Sequence, residues 1–400
     1  MLQLSCVNFK KGTYLFIDGA ENNDRFYIIQ SGKVECTSSL DQSNNAKKIL
    51  STGDFVGIIP CMASRCQIEN SLALTDVKCI SVRKDQYPDL IASNTPVALK
   101  TIRTFAKRMR ELNEQFTQLT AQKVSQDTPE HIFEVAHYYD TEGRRDIATY
   151  AYYQYMKECP QGAHIEEVKA RFAALKQFSN PVYLDPDPSL SRRYPVETMI
   201  MSESQSGAEM FILQEGQVTI SKVVNGKEVV LAVLKKGDMF GEMALLENKP
   251  RSASAIAHQN CSLMVVNRFN FDQMVASQPQ LIARLTTTLA DRLWSMYRQL
   301  GNASLSDGFG KAIDMLALQL EKARHTDGSF QTDYSIDDLI SMSSIAPELY
   351  QKTVAAIQSE KFLRINNNMI YVTDCAEIIK LSRYVRKKEA QKEAQEEAKV

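Results

Sequence analysis

Phe240-Gly241-Glu242-Met243-Ala244-Leu245-Leu246-Glu247-Asn248-Lys249-Pro250-Arg251-Ser252-Ala253 is the most informative stretch of this 400-residue chain. A glycine, a carboxylate, a short apolar helical run and an arginine nine residues after the carboxylate make a compact anion site. Gly241 lets backbone come close to a ligand. The start of the short helix points free N–H groups at an anion. Arg251 offers a phosphate two parallel charge-assisted hydrogen bonds. Glu242 accepts from hydroxyls of the kind a sugar ring presents, and Ser252 adds one donor. The competing reading is a Glu242–Arg251 bridge in an empty barrel. It is the weaker one, because a buried charge pair without further partners is rarely a net gain.

Working outward, the stretch lies in the second of two copies of one domain. Sliding the sequence against itself by 184 residues aligns about residues 9–90 without a gap. Ile28, Gln30, Gly32 and Val34 fall on Ile212, Gln214, Gly216 and Val218. Leu50, Gly53, Asp54 and Gly57 fall on Leu234, Gly237, Asp238 and Gly241. So long a period is a duplicated domain and not a solenoid. Short apolar runs such as Phe26–Ile29 and Met210–Leu213 end near glycine turns. Val218–Val224 and Lys227–Leu234 flank Asn225-Gly226, a strong short hairpin signal. Each copy therefore predicts a small antiparallel barrel or jelly roll.

Copy one lacks the chemistry. The same offset places Ile58 under Glu242, Pro60 under Ala244, Gln67 under Arg251 and Ile68 under Ser252. A neutral glutamine cannot balance a phosphate, an isoleucine cannot hold a hydroxyl, and proline removes a backbone donor. Arg65, two residues from the expected place, is a candidate substitute.

The F-G-E-x-A-L-L opening and P-R-S-A close resemble the phosphate-binding cassette of cyclic-nucleotide-binding domains. The resemblance implies that Glu242 contacts the ribose 2′-hydroxyl and that Arg251 neutralises the cyclic phosphate. Gly241, Met243 and backbone N–H groups around Ala244 and Ser252 complete the cradle. From about Tyr194 to Thr373 the chain is also similar to the catabolite-activator (Crp/Fnr) regulators, with barrel, long helix and winged helix in that order. Gly301-Asn302 falls at that family's hinge turn. Family members read the purine from late positions on the long helix. Here these are Met296 and Tyr297, with Trp294 close by as a stacking cap. The implied ligand is cAMP, with cGMP the alternative.

The remaining segments complete a multidomain α+β reading. Residues 1–125 are a degenerate barrel with its long helix, where Ile102, Phe105, Met109, Leu112, Phe116 and Leu119 form a coiled-coil seam. Residues 126–180 are a helical spacer with Tyr139, Ala148, Tyr152 and Pro160 at tetratricopeptide-like spacing. Its tyrosines read as helix packing. Residues 181–302 are the second barrel with the stripe Ile282, Leu285, Leu289, Leu293, Met296 and Leu300. Residues 303–375 read helix, helix, helix, hairpin, the order of a winged helix. Residues 376–400 are a charged helical tail, read as solvated from Lys380 to Val400.

Composition bounds the function. Apolar residues make up 44% and charged residues 24%, ordinary for a globular chain, and the formal charge is −1. That argues against coating nucleic acid by bulk charge. Eight scattered cysteines at no ligand spacing read as reduced thiols of a cytoplasmic protein. The start lacks the basic and apolar regions of a signal peptide, and no apolar run of about 18 residues predicts a membrane span. No nucleophile elbow, zinc-protease helix or P-loop is present, so neither an enzyme nor a metal site is expected. Residues 301–374 hold six Lys/Arg against ten Asp/Glu, a balance of −4, and the expected recognition helix carries Pro347, Glu348, Gln351 and Lys352. An acidic module is a poor DNA binder. Two outputs stay open: a Crp/Fnr-like transcriptional regulator, or an adaptor that binds proteins through the spacer or winged helix. The seams also leave two assemblies open, an intramolecular pseudo-dimer or a homodimer.

Overall fold

The computed structural model describes the chain except residues 1–2, 22, 39–46, 121–127, 179, 181–182, 186–187, 225, 244–249, 344, 346, 367 and 398–400. Two compact units divide it: Met1–Asn94, Lys107–Gln122 and Thr286–Val400 form the first, Thr95–Ala106 and Lys123–Leu285 the second.

Copy one comprises β1 (Ser5–Phe9), β2 (Tyr14–Phe16), β3 (Arg25–Ser31), β4 (Val34–Thr37), β5 (Lys47–Leu50), β6 (Phe55–Val56), the short helix α1 (Ile58–Ala63), β7 (Asn70–Ala73), β8 (Val77–Arg83) and α2 (Tyr87–Ser93). The long helix α3 (Thr95–Thr120) follows. All ladders are antiparallel, in two four-stranded sheets ordered β1-β8-β3-β6 and β2-β7-β4-β5. Alternation builds the strands: Val77, Cys79 and Ser81 of β8 are buried while Lys78 between them is exposed. Phe16, Ile29, Val34 and Cys79 meet in the core between the sheets.

The spacer is three helices, α4 (His131–Thr141), α5 (Arg145–Glu158) and α6 (Ile165–Leu175). Tyr139, Tyr152 and Tyr155 are fully buried, so the tyrosine cluster is packing. That core continues into Met199, Val223 and Ile256 of copy two. The Tyr139 hydroxyl donates to Glu228 at 2.9 Å, and Arg144 pairs with Glu197 and Glu228 at 2.8 and 3.0 Å.

Copy two comprises β9 (Ser191–Tyr194), β10 (Met199–Met201), β11 (Glu209–Glu215), β12 (Val218–Val224), β13 (Lys227–Leu234), β14 (Met239–Phe240), β15 (Ser254–Ala257), β16 (Cys261–Asn267), α7 (Arg268–Ser277) and the long helix α8 (Pro279–Ser304). Its sheets run β9-β16-β11-β14 and β10-β15-β12-β13, strand for strand the order of copy one. The 184-residue offset carries β3, β6, β7 and β8 onto β11, β14, β15 and β16 with no change of boundary.

The C-terminal part comprises α9 (Gly308–Lys322), β17 (Phe330–Ser335), α10 (Ile336–Met342), α11 (Tyr350–Ser359), β18 (Leu363–Asn366), β19 (Met369–Val372) and α12 (Cys375–Glu397), with a sheet ordered β17-β19-β18. The expected hairpin is present, and β17 is an added third strand. Two expectations change. Helix α8 runs through Gly301-Asn302 to Ser304, and the chain turns at Leu305–Asp307 instead. Asn302 is held in the helix because its amide donates to the Lys311 carbonyl at 2.7 Å. The stretch expected to be solvated is also docked near its start: Ser382 is fully buried, and its hydroxyl donates to Asp314 at 2.7 Å.

Within the first unit the two long helices meet copy one and the C-terminal part. Arg108 of α3 donates to the Tyr297 hydroxyl of α8 at 2.6 Å and lies over its ring. The Tyr297 hydroxyl donates to Glu69 at 2.9 Å. Arg298 of α8, 1% exposed, pairs with Asp314 at 3.1 Å and with Glu321, while Arg386 of α12 lies 3.2 Å from the same Asp314. Of the copy-one seam, Ile102, Phe105, Met109 and Leu112 are buried; the side chains of Phe116 and Leu119 lie outside the described residues. Among the described residues no helix is long and apolar enough to cross a membrane.

Candidate functional site

The cassette is assembled from three places in copy two: the end of β14, the turn before β15, and the loop joining β10 to β11. Gly241 follows β14 with φ +77°, a left-handed conformation that favours glycine. It directs its carbonyl at Arg251, which donates from Nη1 to Gly241 O at 2.8 Å and to Glu209 O at 2.6 Å. A Cβ on Gly241 would stand 2.7 Å from Nη1. Phe211 lies under the guanidinium, 5.7 Å from its ring centroid, and is itself stacked on Phe240.

Arg251 is 5% exposed, and Glu242 is 3% exposed. Among the described residues Arg251 makes no ion pair, so the bridge that would satisfy Glu242 and Arg251 without a ligand is not formed. Its Nε is buried with no hydrogen-bond partner. The carboxylate of Glu209 is taken by Arg192, which grips it at 2.8 Å through both terminal nitrogens. Burial pushes the Arg251 pKa below its ordinary value, with Tyr150, Glu209 and Glu242 opposing. A cation so desolvated is stabilised by an anion brought beside it. The group left without a counter-ion is a guanidinium, whose chemistry suits a phosphate.

The structure brings Gly241, Glu242, Met243, Arg251 and Ser252 into one site. The Ser252 hydroxyl lies 3.7 Å from the Met243 sulfur, tying the two flanks of the cassette. Ala244 lies outside the described residues. Trp294, Met296 and Tyr297 belong to the other compact unit. There Trp294 and Tyr297 are 1% exposed, and the Trp294 indole donates to the Cys66 carbonyl at 3.0 Å. Met296 is half-buried. Among the described residues no cluster of potential metal ligands forms.

Copy one has filled the corresponding place. Ile58, Gln67 and Ile68 are buried at 5%, 2% and 3% exposure. Arg65 does not substitute for the missing cation. Its Nε pairs with Asp291 of α8 at 3.0 Å, Nη1 donates to the Glu321 carbonyl, and its guanidinium lies over Trp294 at 5.2 Å.

The cassette motif does not include the loop from Ser202 to Ala208. Ser204 N–H donates to Arg251 O, and Arg251 N–H donates to Gln205 O, both at 2.8 Å. A Cβ on Gly207 would stand 2.3 Å from Arg251 Nε, so only glycine lets the loop lie flush on the guanidinium. A glycine eight residues after strand β10's start is too common a pattern to have marked this.

Residues 6–94 and 191–278 each match the cyclic nucleotide-binding domain family. The chain is 25% identical over 185 residues to the cAMP-activated global transcriptional regulator CRP of Haemophilus influenzae, covering 45% of this chain and 82% of that protein. It is 22% identical over 195 residues to the CRP-like cAMP-activated global transcriptional regulator of Mycobacterium tuberculosis, covering 48% and 87%. Among solved structures, the catabolite activator protein of Thermus thermophilus is 23% identical over 52% of this chain and all of that one, with a TM-score of 0.29.

Proposed function

We propose that this chain, a Crp/Fnr-like protein carrying the cyclic nucleotide-binding domain twice, is a one-site receptor for cAMP or a related cyclic nucleotide such as cGMP, bound in copy two alone. The observation that carries this reading is Arg251: a buried cation with no ion-pair partner among the described residues and an unsatisfied Nε. The cyclic phosphate supplies its counter-charge. Glu242 accepts from the ribose 2′-hydroxyl, and Gly241, Met243, Ala244 and Ser252 shape the phosphate cradle. Copy one, with Gln67 and Ile58 in the equivalent places, binds none.

Trp294 and Tyr297 read the state of α8 for copy one and the C-terminal part. Copy one then serves as the built-in partner of an intramolecular pseudo-dimer, as the Arg108–Tyr297 contact supports. The domains follow as a degenerate barrel over 1–125, a tetratricopeptide-like spacer over 126–180, a ligand barrel over 181–302, a winged helix over 303–375 and a charged tail over 376–400. The winged helix gives a regulator of transcription in the cytoplasm, with no catalysis of its own. The acidic balance of that module favours a second reading, an adaptor whose output is a protein contact.

Calorimetric titration of the full chain with cAMP and with cGMP tests the ligand. One molecule per chain is expected, with a weak preference for cAMP. A stoichiometry of two, or no heat with either nucleotide, would refute the reading. Binding to duplex DNA at physiological salt, with and without nucleotide, separates regulator from adaptor.

A further inference from the structure

One loop separates the spacer from the guanidinium of Arg251, and both of its faces are held. On the site face, Ser204 and Gln205 exchange backbone hydrogen bonds with Arg251 at 2.8 Å, and Gly207 lies flush on the guanidinium. On the other face stands helix α5. The Tyr150 hydroxyl lies 3.2 Å from both Gln205 Oε1 and the Ile200 carbonyl. Gln205 Oε1 also accepts from Ser202 N–H at 2.9 Å, which closes the loop on itself. Glu158, the last residue of α5, accepts from Ser206 N–H at 3.0 Å and from its hydroxyl at 2.7 Å. Gln205 and Ser206 are thus pinned to the spacer while Ser204 and Gln205 are pinned to Arg251.

The Glu158 contacts are of the strong kind. Glu158 makes two charge-assisted bonds to one residue, a geometry that fixes direction as well as distance. Tyr150 is 4% exposed, and burial pushes its pKa well up, so its hydroxyl remains a donor. Losing that donor removes the bonds that tie Gln205 Oε1 and the Ile200 carbonyl to α5. A cation placed correctly before the ligand arrives spends no binding energy on ordering.

We infer that the spacer is part of the ligand site: Tyr150 and Glu158 of α5 are positioning residues that set Arg251, through the loop from Ser202 to Gly207, for the phosphate of a cyclic nucleotide. This rests on the proposed ligand. Linkage makes the effect reciprocal, since whatever tightens ligand binding through spacer docking is tightened by the ligand to the same degree. A molecule that pulls α5 from the barrel therefore lowers nucleotide affinity.

The test uses the full chain with Tyr150→Phe, Glu158→Ala and Glu158→Gln. Calorimetry with cAMP and cGMP is paired with hydrogen exchange of the Ser204 and Arg251 amides without nucleotide. Tyr150→Phe and Glu158→Ala should each weaken both nucleotides alike, by about 3- to 10-fold. Glu158→Gln, which keeps one acceptor, should recover part of the loss. The two amides should exchange faster while the midpoint of global unfolding stays within its error. Wild-type affinities with unchanged exchange overturn the inference, and so does a loss confined to one nucleotide, which would place the effect at the base. If the wild-type chain binds neither nucleotide, the ligand reading fails on its own, and the latch is decided by amide exchange.

Discussion

Arg251 is the residue on which the proposed ligand site rests. Its two backbone acceptors and the Phe211 face hold it in place, but none of them neutralises it. Arg251→Ala should lower cyclic-nucleotide affinity by about 10²–10³-fold, the cost of leaving a phosphate unpaired in a desolvated site. Gly207→Ala should do nearly as much from the other side of the loop, by driving Nε off its place; calorimetry on both variants checks this. Glu242 and Arg251 were legible in the sequence because one short segment holds both. Gly207 and Tyr150 were not, because only folding brings the loop and helix α5 to a residue 44 and 101 positions away. A second residue-scale prediction concerns the thiols. Burial pushes Cys36 and Cys61 up to about 12, and Cys79 and Cys261 up to about 11, from an ordinary 9.0. A thiol whose folded pKa is raised stabilises the fold fully below its unfolded pKa and loses that contribution as pH rises through the folded value. Urea midpoints should hold between about pH 7 and 8 and fall from about pH 9 upward.

Helices and strands differed in how plainly their sequences announced them. The strands on either side of Gly226 appear where β-branched runs demand them. Helix α9 begins at Gly308 because Asp307 accepts from Gly310 N–H at 2.8 Å, a capping pattern local to the sequence. Strand β17 was hidden, since Phe330-Gln331-Thr332-Asp333 has no apolar run; it forms because β19 offers it an edge. Helix α8 was expected to break at Gly301, but packing against α9 outweighs the glycine's cost in a helix, about 1 kcal/mol. The docking of α12 was equally hidden, because it depends on Asp314, a buried carboxylate that Arg298, Arg386, Ser382 and Asn302 all approach. Asp314→Asn would leave two guanidiniums around a neutral amide. We expect destabilisation of about 3–5 kcal/mol, with α12 the first element to lose amide protection in hydrogen exchange.

At the scale of the molecule, one side-chain contact joins the long helices of the two copies within the first unit. Arg108 and Tyr297 join α3 to α8, and the Tyr87 and Thr286 hydroxyls stand 3.2 Å apart. The proposed pseudo-dimer predicts a monomer by light scattering across micromolar concentrations. Met109→Glu, which puts a charge at a position 5% exposed on α3, should loosen that monomer and weaken nucleotide binding in copy two. A homodimer split by this variant with binding unchanged would show pairing between chains instead. Strong binding of duplex DNA by residues 301–374 alone would remove the main support for the adaptor reading.

For a receptor of the proposed kind, duplication within one polypeptide also changes what kind of signal it gives. Two separate chains meet at a rate set by their abundance, so a scarce receptor falls apart and an abundant one pairs. Here the two helices share a covalent tether, and their effective concentration is a property of the tether and not of the cell. Expression level then alters how many receptors exist but not how each one behaves. With the one pocket per molecule that the proposed function gives, occupancy follows a plain hyperbola, rising gradually over roughly two decades of ligand instead of snapping at a threshold. A receptor of the proposed kind meters its ligand.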